Sequence, residues 1–79
     1  MQSIKENLIE LIVFQSATTQ EKLLTSNTWK EIGIDSLDTL EIMLAVNERF
    51  NIEIEEDDEE LLTGFFELLE YLERKLNKS

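Results

Sequence analysis

Residues 33–38 read Gly33-Ile34-Asp35-Ser36-Leu37-Asp38, and the apolar-periodic run that follows them to Phe50 decides how the chain folds. Gly33 marks a turn and the residues after it repeat at helical spacing, so Ser36 lies at or beside a helix N-terminus. Asp35 and Asp38 have the spacing of an acidic variant of the capping box, in which a side chain ahead of the helix satisfies an amide of its first turn. A hydroxyl placed there faces solvent, next to amide donors that no helical carbonyl satisfies, and such donors favour a phosphate. The chain has no His and no Cys, so no obvious group activates Ser36 as a nucleophile. Two readings stand side by side: an ordinary capping or first-turn serine, and a serine that another enzyme modifies.

The spacing predicts a helix over residues 36–50. At about 100° per residue, Ile42, Met43, Val46 and Phe50 share one sector, which is assigned to the core. Leu37, Leu40 and Leu44 fall in a neighbouring to opposite sector, beside Glu41 and Glu48. That second stripe is either the margin of a wide buried face or an apolar strip with an acidic border, shaped for a partner's apolar and basic surface.

Working outward, Ile4, Leu8, Leu11 and Ile12 predict an amphipathic helix over residues 3–15, opened by a Ser3/Glu6 capping box. The Ser, Thr and Asn clusters of residues 16–34 read as a long loop, anchored by Leu23, Leu24, Trp29, Ile32 and Ile34. Residues 51–54 read as an extended linker burying Ile52 and Ile54, since an isolated edge strand is not viable alone. Glu55 to Leu62 then forms a short third helix, which Gly64 separates from a fourth. Phe65, Leu69, Leu72 and Leu76 set the face of that fourth helix, widened by Phe66 and Leu68, while Arg74, Lys75 and Lys78 complement its dipole. Trp29 and Tyr71 read as core or loop anchors, with partner contact as the second reading. The expected fold is all-α: a small four-helix bundle of three main helices plus one short helix, with a long loop between helices 1 and 2. Residues 1–79 are expected to form a single domain.

At 79 residues the chain is near the size below which one core is marginal, and without Cys its stability comes from apolar packing. The formal net charge of −11 is unevenly placed: between Glu31 and Glu73 there are 15 acidic side chains and one base, Arg49. That field disfavours nucleic acid and anionic membrane surfaces and favours partners with basic surfaces. No stretch resembles a signal peptide or a span. The apolar run Leu8 to Phe14 is short and interrupted by Glu10, so a cytoplasmic protein without stable membrane insertion is expected. The acidic run Glu55 to Glu60 invites a calcium loop, but a loop starting at Glu53 has Asp58 where glycine is required, so the run reads as a solvated helix face and no metal site is assigned. Paired carboxylates need an enclosing cleft for acid/base work, which so short a chain hardly builds. No catalytic residue is assigned, and an enzyme is not expected.

The stretch Ile32-Gly33-Ile34-Asp35-Ser36-Leu37-Asp38-Thr39-Leu40-Glu41-Ile42 resembles the 4′-phosphopantetheine attachment motif of acyl carrier proteins. That family's pattern is Leu-Gly-x-Asp-Ser-Leu-Asp followed by an acidic-apolar helix. The resemblance extends over nearly the whole chain, through helix order, acidity and length. It implies that Ser36 carries a covalent 4′-phosphopantetheine arm through a phosphodiester, with Asp35 in support, placing the modifying transferase and orienting the serine. It also implies that Leu37, Asp38, Leu40, Glu41, Leu44 and Glu48 form the partner-binding surface. The arm supplies the thiol that this chain lacks, and acyl groups ride on it as thioesters for fatty-acid, polyketide or related biosynthesis. The implied partners are a phosphopantetheinyl transferase and acyl-transferring, condensing or ligase enzymes with basic docking surfaces; the carrier itself is a monomer and catalyses nothing. Three departures leave the pathway open, including an aminoacyl or peptidyl carrier: Ile34 replaces the frequent Ala, the usual Pro opening the third helix is missing, and Phe65-Phe66 is bulkier than usual. The reading from a different class is an unmodified acidic helical interaction module in which Ser36 is only a cap.

Overall fold

Five helices and one 3₁₀ turn organise residues 3–77, the part of the chain described by the computed structural model. They are α1 (Ile4–Ser16), α2 (Gln20–Thr25), α3 (Ser36–Phe50), α4 (Glu56–Glu59) and α5 (Phe65–Asn77), with the 3₁₀ turn at Lys30–Ile32. No strand occurs among the described residues. Lys78, placed by sequence at the end of the last helix, lies outside them.

Ser3 opens α1 as expected: its Oγ accepts from the Glu6 amide at 3.1 Å, which satisfies one of the amides a helix start leaves unpaired. Leu8, Leu11 and Ile12 are buried and Ile4 packs against them. The segment expected to be one long loop differs, because it contains α2. The physical reason lies in the same threonines that signal a loop: Thr19 Oγ1 accepts from the Lys22 amide at 3.2 Å, an N-cap, and Leu23 is fully buried behind it. The anchoring itself is as expected, with Leu23, Trp29 and Ile34 buried and Leu24 and Ile32 half-buried.

Ile42, Met43 and Val46 form the buried face of α3, while Phe50 is half-buried at its edge. Asn51, in the left-handed conformation at φ 54°, ends the helix. Asn47 then steers the linker. Its carbonyl accepts from the Ile52 amide at 3.1 Å and its Oδ1 from the Ile54 amide at 3.0 Å, so Ile54 enters the core and Ile52 lies half-buried.

The third helix of the sequence reading is shorter than Glu55 to Leu62: only Glu56–Glu59 is α-helical, and Leu61 and Leu62 continue with tighter i→i+3 bonds. Like charges at i, i+4 oppose a longer α-helical turn in this acidic run. Gly64 separates it from α5 because a Cβ there would run into the Asn27 carbonyl, so two backbones meet at that point. Along α5, Phe65, Leu68, Leu69 and Leu72 are buried. Phe66 and Leu76 are exposed, against expectation. Phe66 meets Phe65 edge-on at 5.2 Å rather than entering the core, and Leu76 sits in the last turn, where the buried stripe is no longer covered. The core draws on α1, α2, α3, α5 and the connections between them.

Candidate functional site

The site begins with a turn that only glycine makes easily. Gly33 has φ 77°, closing the 3₁₀ turn through a bond from its amide to the Lys30 carbonyl. Ile34 then drops into the core, its amide donating to the Trp29 carbonyl at 3.0 Å. The chain is thereby aimed so that Asp35 takes the N-cap of α3. Asp35 Oδ1 accepts from the Asp38 amide at 2.9 Å, and the Asp35 carbonyl accepts from the Thr39 amide at 2.9 Å and its hydroxyl at 2.8 Å. This is one half of the expected acidic box; among the described residues Asp38 makes no reciprocal bond to the Asp35 amide.

With Asp35 as the cap, Ser36 is the first helical residue and is exposed. Its hydroxyl has no hydrogen-bond partner among the described residues, and no carbonyl accepts from the Ser36 or Leu37 amides ahead of the helix. The serine is therefore free of the task that its position suggests. Beside it opens a groove whose apolar wall is made by Leu37, Leu40, Met43, Trp29 and Leu62, with Glu59 of α4 on the far side. The Trp29 indole N–H donates to the Leu62 carbonyl at 2.8 Å, tying the loop before α3 to the segment after α4.

α3 carries the remaining candidates away from Ser36. Leu37, Leu40 and Leu44 are 68%, 47% and 59% exposed, so the second stripe is not the margin of a wide core. Glu41 and Glu48 are exposed next to it, and Asp38 is half-buried at its start. The structure thus brings Asp35, Ser36, Leu37, Asp38, Leu40, Glu41, Leu44 and Glu48 to one helix, with the serine at its tip. Sequence reasoning placed no functional residue on α4 and gave Trp29 partner contact only as its second reading, although both wall the groove. Only the long-range contact from Trp29 to Leu62 brings them there, and no local pattern signals it.

Comparison with known proteins adds a family model, the phosphopantetheine attachment site, which matches residues 13–62. This chain belongs to the acyl carrier protein family. A curated relative, "Acyl carrier protein, mitochondrial" of Dictyostelium discoideum, is 31% identical over 71 residues. The alignment covers 90% of this carrier and 59% of that protein, so the carrier spans about three fifths of the relative's length. The family's cofactor is 4′-phosphopantetheine, attached covalently. The residues present fit such a group: covalent attachment requires an accessible hydroxyl rather than a binding cavity, and unpaired amides at a helix start suit the phosphate.

Elsewhere, Tyr71 of α5 holds α4, its hydroxyl donating to Asp58 Oδ2 at 2.8 Å. Burial, then this bond and the Asp58 charge, push the phenol from 10.0 up to about 12. Among the described residues no cluster of three His, Cys, Asp or Glu side chains is arranged to hold a metal ion, and no helix is long and apolar enough to cross a membrane.

Proposed function

We propose that residues 1–79 act as one carrier domain and that Ser36 is the attachment serine, bearing acyl groups as thioesters on its 4′-phosphopantetheine arm. The observation that carries this reading is the division of labour at the start of α3. Asp35 caps the helix, leaving the Ser36 hydroxyl exposed and without an intramolecular bond. A serine serving only as a cap would accept from an amide of the first turn, as Ser3 does in α1. The arm supplies the thiol when bound. What this chain contributes is an accessible Oγ, an ordered helix start and a docking strip.

Attachment replaces the Oγ–H bond of Ser36 with an Oγ–P bond. In the same step the P–O anhydride bond of a pyrophosphate-linked phosphopantetheine donor, brought by the transferase, breaks, and its phosphate leaving group departs with the electron pair. In this reading the proton leaves to a base on the transferase, since the chain has no His or Cys and Asp35 serves as the helix cap through Oδ1. Asp35 thus supports the site by fixing the backbone that presents Ser36. Leu37, Leu40 and Leu44, bordered by Asp38, Glu41 and Glu48, are the surface on which the transferase and the acyl-transferring, condensing or ligase enzymes dock through basic patches. The apolar wall of Leu40, Met43 and Leu62 beside Ser36 favours an acyl cargo of fatty-acid, polyketide or related synthesis over a charged aminoacyl one. In this reading the carrier is a non-catalytic monomer working in an aqueous compartment, the cytoplasm, in keeping with its acidic surface.

Coexpression with a broad-specificity phosphopantetheinyl transferase tests this. The parent chain is expected to gain the mass of one arm by intact mass spectrometry, and Ser36→Ala to gain none while keeping its helical circular dichroism. An arm on the Ala variant would show that the site is elsewhere.

A further inference from the structure

Phe14 is the most exposed of the large apolar side chains in the described residues, at 86%, and neither the core nor the Ser36 site uses it. It stands on the outer face of α1 as a ridge between two open grooves. One is lined by Ile9, Val13 and Glu6; the other runs between α1 and α3 and is lined by Ala45, Glu48 and Arg49. Glu10 borders both. We propose that this face is a second docking surface, and that its occupant is a partner protein segment presenting an apolar side chain flanked by lysine or arginine, such as a basic amphipathic helix.

The choice of occupant follows from charge. The side chains around Phe14 include the exposed carboxylates of Glu6 and Glu48, and the one guanidinium, Arg49, donates to Asn7 Oδ1 at 3.2 Å. A second copy of a chain with net charge −11 would set these carboxylates against their own images, and like charges facing each other oppose association. An anionic lipid surface meets the same repulsion. A cationic segment gains on both counts, since it covers the exposed ring and meets opposite charge. The face also continues the strip of α3, because Glu48 borders both. One partner bound along α3 can therefore reach Phe14 without crossing a neutral gap. The docking of enzymes along α3 rests on the proposed function; the Phe14 grooves need neither the arm nor Ser36.

The test is a titration of the isotope-labelled 79-residue chain with a synthetic amphipathic helix made of leucine and lysine, alongside a control with glutamate in place of lysine. Amide shifts are expected at Val13, Phe14 and Ala45 with the lysine peptide and not with the control. Phe14→Ser is expected to weaken that binding about fivefold or more, as loss of an aromatic anchor does, with circular dichroism unchanged because the ring is outside the core. Shifts confined to residues 37–44, equal affinity of Phe14→Ser, or equal binding of the glutamate peptide would each overturn the proposal. Concentration-dependent dimerisation abolished by Phe14→Ser would assign the face to a second copy and overturn it too. Arm loading of the parent chain, measured in parallel, fails only if the Ser36 reading is wrong and leaves the peptide result standing.

Discussion

Along α3, Ile42, Met43 and Val46 are enclosed by the rest of the protein, while Leu37, Leu40 and Leu44 stand in water on the same helix. Both sets are apolar and both recur at helical spacing, so hydropathy does not separate them. What separates them is their company. The enclosed set has Leu8, Leu11, Ile12, Leu68 and Leu72 in the same core, whereas the exposed set has Glu41 and Glu48 beside it and, at its tip, a serine that is not the helix cap. The inner face is used for stability in the folded chain. The outer face retains apolar area whose burial, worth roughly 25 cal/mol per Å², is available only when another surface covers it.

The broadest way to break this comparison is to shorten one residue on each face. Ile42→Ala removes fully buried carbons and is expected to cost about 2–5 kcal/mol of unfolding free energy, the usual range for such cavities. Leu40→Ala is expected to stay within about 0.5 kcal/mol of the parent, as for surface changes away from special contacts. Urea melts of the two variants and the parent measure this directly. Similar losses for both would mean that Leu40 belongs to the core, and the proposed docking strip would lose its central member.

A second comparison exchanges stability for kinetics. Glu41→Lys reverses a charge on the outer face without touching the core, and charges of this kind act mainly on encounter rates and partner selection. Arm loading by the transferase is expected to slow on the order of tenfold at low salt, within the range that electrostatic steering spans. Added salt should slow the parent and narrow the gap, since exposed charges are screened beyond about 10 Å at 0.1 M. Leu37→Ala should instead weaken docking with little change in salt dependence. Equal loading of Glu41→Lys and the parent at low salt would remove the acidic border from the recognition surface.

Much of this was legible in the sequence because it is local. The cap at Ser3, the start of α3 after Gly33, the inner face of α3 and the buried stripe of α5 all follow from spacings within a few residues. The misses share a different cause. Helix α2 was hidden because Thr19 serves equally as a loop residue and as an N-cap, and only the burial of Leu23 decides between them. The groove beside Ser36 depends on Trp29 meeting Leu62 across 33 positions, which no periodicity encodes. Phe14 was visible as part of an apolar run, yet its exposure becomes plain only once Leu8, Leu11 and Ile12 fix the inward direction of α1. The outer stripe of α3 admitted two readings, since nothing in its own residues says whether another helix lies over it.

The smallest effect is expected where the two environments meet. Tyr71 is half-buried, and its bond to Asp58 fastens the acidic α4, which helps wall the groove near Ser36, to the apolar α5. Tyr71→Phe keeps the ring and removes the donor, so it is expected to cost about 1 kcal/mol at neutral pH, the usual net value of one hydrogen bond. A pH series separates this bond from simple packing. The phenol is raised from 10.0 to about 12 by burial first, then by the bond to Asp58 and the nearby negative charge. A group whose folded pKa lies above its unfolded value stabilises the fold fully below the unfolded pKa, and that stabilisation fades as pH rises through the folded one. The advantage of the parent over Tyr71→Phe should therefore hold up to about pH 10 and shrink between 10 and 12. Paired urea melts across that window are the measurement. A constant gap would mean that the hydroxyl contributes nothing that ionisation can remove, leaving α4 held by the burial of Leu62 and the Trp29 bond alone.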